Sequence, residues 1–482
     1  MALLLGVRTV ELIREGLNRY RLPRRGKMRV DAVVYVNEFL KPLLREDKSL
    51  EQLAHAAMLP GVVNPVVGMP DIHEGFGLPI GGVMAMEQDG VISAGAVGMD
   101  INCGVRLLRT DLRAWDLGTD RLRDLMAAVE EYVPTGVGRK SKRRDLSRRL
   151  FEQVVHAGVR SAVEAGLGRD TDLQYIEEGG CLEGADLHAV SREAYERGAV
   201  QLGTLGGGNH FIEFQEVAEV LDAAVGARMG LFAGQLVVMI HTGSRGFGHQ
   251  ICTDYSKSLL PVARKYGIDL PSKGLACAPI DSPEGRRYFQ AMACAVNYAF
   301  TNRQIISHDI GLAFGALFKT DPEKLGLRVV YDVAHNIAKW ERHHGRRLLV
   351  HRKGATRALP PGHEGNPEPY RDTGHPALIP GSMGTASYVL VATPAAAETY
   401  FSVNHGAGRI LSRSAAVRTI TREQFEHSMG SVIYNTRNFK EIVDEAPQAY
   451  KDIDQVVDTL TAIGLTRKVA RLRPLGVIKG KD

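Results

Sequence analysis

The chain has no cysteine pair at metal-finger spacing. Its five cysteines, Cys103, Cys181, Cys252, Cys277 and Cys294, are scattered and never stand as Cys-x-x-Cys. This excludes a zinc finger and argues for a reducing cytoplasm without structural disulfides. Long apolar runs are missing too. Met1-Ala-Leu-Leu-Leu-Gly is broken by Arg8, Glu11, Arg14 and Glu15 before a signal-peptide core or a membrane span can form, so the chain reads as unexported, with no membrane partner. Aromatic residues are only 6%, and no basic stripe is interleaved with them, which counts against a protein that merely holds nucleic acid by stacking. Neither sign of charge dominates. Sixty Lys and Arg face 55 Asp and Glu, a net charge of +5, which permits an anionic partner without demanding one. Internal repeats and low-complexity linkers are absent, so 482 residues at 44% hydrophobic content read as one large interwoven domain.

Glycine is plentiful. The 52 glycines concentrate in blocks such as Met69-Pro-Asp-Ile-His-Glu-Gly-Phe-Gly-Leu-Pro-Ile-Gly-Gly and Gly203-Thr-Leu-Gly-Gly-Gly-Asn-His, which imply tight turns and close backbone approach rather than a helical bundle. Residues 7–20 read as an amphipathic helix with Val7, Val10, Ile13 and Leu17 on one side, residues 29–36 as a strand, and residues 50–58 as a short helix capped by Ser49. Helical periodicity returns over 119–166, around the basic run Arg139-Lys-Ser-Lys-Arg-Arg and the pair Arg148-Arg149. A solvated helix face and a contact with phosphate backbone are equally good readings of that run. Residues 183–200 and 285–318 read as helices. Residues 211–215, a run from Val237 to His241, and a run from Leu327 to His335 read as strands.

Those strands carry chemistry at their ends. Asp100 and Cys103 stand three residues apart in Gly-Met-Asp-Ile-Asn-Cys-Gly, and His210, His241 and His335 each lie beside an expected strand. Carboxylate, thiolate and neutral imidazole are the side chains that bind divalent transition metals, and a thiolate can bridge two ions. A single histidine near a strand end is more often a structural residue than a ligand. Joint occurrence in glycine-rich contexts raises these five above that reading, and eleven other histidines are set aside. Asp71, His73 and Glu74 are intermediate, as groups that can orient a ligand. Ligand softness alone would favour zinc.

Six separate blocks then occur in one order: Gly-Met-Asp-Ile-Asn-Cys-Gly-Val-Arg, Gly-Gly-Gly-Asn-His-Phe-Ile-Glu, His-Thr-Gly-Ser-Arg-Gly, Tyr-Asp-Val-Ala-His-Asn, Pro-Gly-Ser-Met-Gly-Thr-Ala-Ser-Tyr and Asn-His-Gly-Ala-Gly-Arg. Together they closely resemble the RtcB family of RNA-splicing ligases, from about Arg29 to the terminal Pro474-Leu-Gly-Val-Ile-Lys-Gly. The residues before Met28 are only loosely similar and read as an N-terminal extension of a single 1–482 catalytic domain. The resemblance implies a mixed α/β fold whose sheets and surrounding helices converge on one deep basic cleft. It implies an enzyme that joins an RNA 3′-phosphate or 2′,3′-cyclic phosphate to a 5′-hydroxyl, in tRNA splicing or RNA repair, with GTP and two Mn²⁺. Asp100, Cys103 and His210 would bind one ion and Cys103, His241 and His335 the other, so Cys103 becomes the bridge. His405 matches the histidine that attacks the GTP α-phosphate and carries GMP. Glu213 would read the guanine edge, with Lys479 beside it and Lys481 as a nearby rival for that place. Asn209, Asn336, Ser382, Met383, Ser387 and the Gly406-Ala407-Gly408 backbone would line the nucleotide. Arg245 and Arg409 are candidates for RNA phosphates, with a structural carboxylate partner an equal reading for each.

In the implied cycle a metal-activated water opens a cyclic phosphate, GMP moves from His405 to the RNA 3′-phosphate, and the 5′-hydroxyl then expels GMP. A neutral imidazole, an adjacent dication and glycine-flanked amides are the help such phosphoryl chemistry requires. A binuclear metal-dependent phosphodiesterase is the main rival and needs the same cluster without His405, Glu213 or Lys479. A monomer is expected, and dependence on an activator such as archease stays open.

Overall fold

The strand Arg328–Ala334 and the strand Asn336–His343 are separated by one residue, His335, and belong to different sheets. That junction organises the molecule. The computed structural model describes residues 11–141, 143, 145–436 and 438–480. One sheet has seven strands in the order Ile13–Gly16, Arg19–Leu22, Ala32–Tyr35, Val66–His73, Ile80–Met86, Arg346–Lys353 and Asn336–His343. The other runs Arg328–Ala334, Gly104–Arg113, Gln235–Thr242, Phe211–Val220, Thr466–Lys479, Ser387–Ala392 and Ala377–Ile379, with Ile433–Tyr434 parallel to Thr466–Lys479. Helices pack around both, so the fold is mixed α/β, as expected.

Register explains how distant residues meet. Gly104 pairs with Thr242 and Ala334, and His241 pairs with Val105 and Phe211. Cys103 precedes the first of these strands, His210 precedes Phe211–Val220, and His335 follows Ala334, so four candidate ligands gather at one end of three neighbouring ladders. Gln235–Thr242 is buried at every position. Val237 and Met239 enter one hydrophobic cluster, while Leu236, Val238 and Ile240 enter another. A strand covered on both faces needs a continuous apolar run, which is why Leu-Val-Val-Met-Ile is legible as one.

The helix Pro283–Phe318 is capped by Ser282, whose Oγ accepts from the Gly285 N–H at 3.0 Å, with Pro283 in the first turn. It is buried along most of its middle, and the expected 285–318 helix is there. At its centre Arg303 and the strand residue Arg106 converge on Asp332, all three with fully buried side chains. Arg303 Nη1 also donates to the carbonyls of Asn102 at 2.9 Å and Thr242 at 2.8 Å, the neighbours of Cys103 and His241. Removing one member strands a buried charge, which typically costs about 3–5 kcal/mol. Arg303→Met is therefore expected to lose stability of that order in denaturant unfolding, together with weaker metal binding. A loss under about 1 kcal/mol, the scale of a surface pair, would contradict this account.

Several expectations are corrected. Of the expected 7–20 helix, residues 7–10 lie outside the described residues, and 13–22 form a hairpin instead. Asn18 turns at φ +56°, Tyr20 and Leu22 are buried in alternation, and the supposed apolar stripe residues Ile13 and Leu17 are exposed. Residues 13–22 are thus edge strands of the first sheet. Ser49 is the first residue of the helix Ser49–Ala56 rather than its cap, and its N–H donates to Asp47 Oδ1 at 2.9 Å. The 183–200 helix shrinks to Arg192–Gly198, capped by Ser191. Residues 119–166 break into the helices Ala114–Tyr132, Arg148–Ala157 and Val159–Glu164. The described part of the basic run is non-helical, with Arg143 paired to Asp145 and Asp309, and Lys142 and Arg144 lie outside the described residues. Among the described residues no helix is long and apolar enough to cross a membrane.

Candidate metal centre and nucleotide site

A cleft of about 770 Å³ opens at the junction, walled by residues of both sheets. Cys103 is at its centre. Its Sγ lies 3.5 Å from His210 Nε2 and 3.3 Å from His241 Nε2, and His241 Nε2 lies 3.3 Å from His335 Nε2. His210 Nε2 contacts Asp100 Oδ2 at 2.8 Å. Two sets of donors result, Asp100, Cys103 and His210 in one and Cys103, His241 and His335 in the other, each with its donor atoms within 4.8 Å of one another. The thiol is common to both.

The backbone around Cys103 is tightly specified. Asn102 takes φ +51°, its N–H donates to the Asn336 carbonyl at 2.6 Å, and the His335 N–H donates to the Cys103 carbonyl at 2.9 Å. Gly104 is obligatory, because a Cβ there would lie 2.5 Å from the Val333 carbonyl and 3.0 Å from the Arg303 guanidinium. Asn336 reaches the same loop through Nδ2, which donates to the Asp100 carbonyl at 3.0 Å.

Burial sets the protonation states. It pushes the Cys103 thiol well above its ordinary value, and Asp100 adds to the effect. It drives His241 and His335 well below theirs, so both imidazoles are neutral and have lone pairs to offer. For Asp100 burial is the largest influence and works upward, but His210, Cys103 and Arg245 together outweigh it and hold the carboxyl at about 2. Carboxylate, neutral imidazoles and a thiol that ionises on binding form a donor set suited to divalent cations.

His405 approaches the same centre, its ring 4.9 Å from that of His335. It follows Ser402–Asn404, a strand paired with Ala355–Arg357, and the Ala355 N–H donates to the His335 carbonyl at 3.2 Å. The Asp71 carboxylate accepts from His405 Nδ1–H at 2.6 Å, from the His405 N–H at 2.9 Å and from the Gly406 N–H at 3.3 Å. One fully buried carboxylate thus fixes both the ring and the loop, leaving Nε2 without a partner among the described residues. Gly408, at φ +76°, packs so close to this aspartate that a Cβ would lie 2.3 Å from the Asp71 carbonyl. Lys451 clamps the other side, its Nζ donating to the carbonyls of Pro70, at 3.2 Å, and Ile72.

The remaining candidates divide. Asn209, Asn336, Ser382, Met383, Gly406, Ala407, Gly408 and Lys479 line the cleft. Glu213 and Ser387 are buried and do not line it, linked by Gln215 Nε2, which donates to Glu213 Oε2 at 3.1 Å and Ser387 Oγ at 2.9 Å. Burial pushes the Glu213 carboxyl well up, and its Oε1 has no partner. Lys479 Nζ lies 3.4 Å from Glu445 Oε2, and Lys481 lies outside the described residues. Arg409 has a carboxylate partner, with Nη1 3.0 Å from Glu445 Oε1, and it donates to the Asp444 carbonyl at 2.6 Å. Among the described residues Arg245 has no carboxylate partner within contact. It donates from Nη2 to the Gly136 carbonyl at 2.9 Å and from Nε to Thr204 Oγ1 at 3.2 Å. Sequence reasoning missed Glu445, Tyr450, Arg413 and Lys353 on the cleft wall. Glu445 closes a single 3₁₀ turn, Val443–Glu445, with no local pattern to mark it, whereas Arg413, four residues beyond Arg409, could have been found by extending that motif.

The family model described as tRNA-splicing ligase RtcB matches residues 52–480. The chain belongs to the RtcB family. Similar members include proteins named tRNA-splicing ligase RtcB from three archaea. That of Aeropyrum pernix is 48% identical over 94% of this chain and 96% of its own length. That of Thermococcus kodakarensis is 46% identical over 96% and 97%, and that of Archaeoglobus fulgidus 47% over 96% and 97%. The RtcB match takes in all of the second sheet and the four strands of the first from Val66–His73 onward, and the donor sets and His405 all fall inside it.

Proposed function

We propose that this protein is a GTP-dependent RNA ligase that joins 3′-phosphate or 2′,3′-cyclic phosphate ends to 5′-hydroxyl ends, with residues 1–482 acting as one catalytic domain. The observation that carries this reading is the meeting, in one cleft, of a thiol shared by two metal-donor sets and a histidine whose Nδ1 is held by a buried carboxylate. Asp100, Cys103 and His210 would hold one Mn²⁺ and Cys103, His241 and His335 a second. When bound, such ions supply Lewis-acid polarisation of phosphoryl oxygens.

Asp71 keeps the proton on His405 Nδ1, so the Nε2 lone pair attacks the α-phosphorus of GTP. The bond to the β-phosphate oxygen breaks and pyrophosphate leaves, with GMP on Nε2. An oxygen of the RNA 3′-phosphate then attacks that phosphorus, the P–N bond breaks, and His405 is restored. The RNA end now carries GMP as leaving group. Attack by the 5′-hydroxyl oxygen on the 3′-phosphorus forms the phosphodiester, releases GMP and gives up the hydroxyl proton. With the Gly406 N–H held by Asp71, Ala407 and Gly408 bring backbone amides to the nucleotide phosphate, with Asn209 and Asn336 as amide donors and Ser382 and Met383 along the wall. Lys479 and Glu213 would recognise guanine, Glu213 giving up its proton to accept from N1–H and N2–H. Arg245 is the better placed of the two arginines for an RNA phosphate, since Arg409 is occupied by Glu445. The same reading has the enzyme act in the cytoplasm as a monomer.

The test is joining of two oligoribonucleotides, one ending in a 3′-phosphate and the other starting with a 5′-hydroxyl. Joining is expected with GTP and Mn²⁺, none with ATP, and none with GTP after chelation. Failure to join with GTP and Mn²⁺, with or without archease added, would overturn the reading.

A further inference from the structure

Phe76 lies on the cleft wall and is 47% exposed. Among the described Phe and Tyr residues of that wall, Phe211 is buried and Tyr450 is tied to Glu445 through its hydroxyl, so Phe76 is the phenyl ring left to solvent. Its backbone is fixed on every side. The Glu74 N–H donates to Asp47 Oδ2 at 2.7 Å, the Gly75 N–H to Gln52 Oε1 at 3.1 Å, and Leu78 N–H to the Gly95 carbonyl at 3.3 Å. Lys353 Nζ donates to the Phe76 carbonyl itself. Gly77, at φ +83°, packs so tightly that a Cβ would lie 2.4 Å from the Gly274 carbonyl. The segment is rigid and the ring has no place in the core. The same cleft wall carries the cationic side chains of Arg197, Arg245, Arg413 and Lys353. A fixed π-face in a cationic cleft matches a polyanion that carries aromatic bases.

We propose that Phe76 is a stacking platform for a base of the RNA strand held in the cleft, beside an end to be joined. The inference rests on the ligase reading and adds to it a base subsite. The candidate guanine contacts come from Thr466–Lys479 and Phe211–Val220 of the second sheet, whereas Phe76 follows Val66–His73 of the first. Every base has a π-face, so the subsite accepts any of the four, and a rigid ring orders the base at little cost in side-chain entropy.

The test uses the Mn²⁺-loaded enzyme and RNA carrying 2-aminopurine placed in turn beside the 3′-phosphate and beside the 5′-hydroxyl. Wild type is compared with Phe76→Ala, Phe76→Leu and Phe76→Trp. Phe76→Ala and Phe76→Leu are expected to raise KM for RNA by about 5- to 150-fold, the range of one base stacked on one ring, and to lose the 2-aminopurine quench seen with wild type. Phe76→Trp is expected to restore both. Wild-type KM and quench in Phe76→Ala, or in Phe76→Leu, which keeps apolar bulk without a π-face, would overturn the inference. A wild-type enzyme that joins no RNA would overturn the ligase reading instead.

Discussion

Cys103→Ala is expected to empty both metal sets at once. Its Sγ is the one atom common to the two donor groups, so alanine leaves Asp100 and His210 on one side and His241 and His335 on the other. Outer partners of a metal ligand alone are worth roughly 10–100-fold in affinity, so loss of a shared ligand should exceed that for each ion. Titration with Mn²⁺ is expected to show no tight site in Cys103→Ala, while Asp100→Asn and His335→Gln each lose one and weaken the other less. Retention of one site at wild-type affinity in Cys103→Ala would contradict the bridge. A second observable follows from the thiol. Burial raises its pKa well above the ordinary value, so the metal-free protein holds the proton at neutral pH, and loading must expel it. Binding is therefore expected to release a proton in weakly buffered solution and to tighten as pH rises.

Asp71→Asn is expected to lower the rate of GMP transfer to His405 by roughly 10²–10⁴-fold, the scale on which a misoriented or mistautomerised catalytic imidazole fails. All three hydrogen bonds from the His405–Gly406 segment fall on one carboxylate oxygen, Oδ2, and an amide oxygen placed there keeps the contacts but loses the negative charge that holds the Nδ1 proton and stabilises the ring as Nε2 bonds to phosphorus. If its NH₂ faces the ring, Nδ1 must accept and Nε2 carries the proton, which removes the nucleophilic lone pair. The side chain is nearly isosteric, so folding and metal binding should survive, and single-turnover labelling with GTP separates the chemical step from both. Wild-type transfer in Asp71→Asn would contradict the tautomer argument.

Much of the site is legible in sequence because its residues stand in short glycine-rich strings. Asp100 and Cys103 share one loop, His210 and His335 flank strands, and His405 sits in Asn-His-Gly-Ala-Gly-Arg. Such loops keep their polar residues where backbone must approach a ligand, so the chemistry survives as local pattern. What couples the strings is not local. Asp71 and His405 are 334 residues apart, and Arg303 holds Asn102 across 201. Neither pairing leaves a spacing to read. Asp71 drew notice only through its neighbours His73 and Glu74. Arg303 lies in a helix whose apolar period says nothing about the charge it buries against Asp332. The central strand Gln235–Thr242 was legible since both faces are covered, whereas the hairpin over 13–22 was not: its apolar residues fall at helical spacing by chance, and the turn at Asn18 is set by backbone conformation.

His405 is the residue on which the proposed chemistry turns. Wild type and His405→Ala would each be incubated with α-³²P-GTP and Mn²⁺ and resolved on a denaturing gel, with metal content checked in both. Acid-labile label on wild type and none on a metal-loaded His405→Ala is the predicted result. Equal label on both chains, or a wild type that binds GTP and Mn²⁺ yet takes no label even with archease present, would contradict the histidine–GMP chemistry and leave the cleft to a metal-dependent phosphodiesterase.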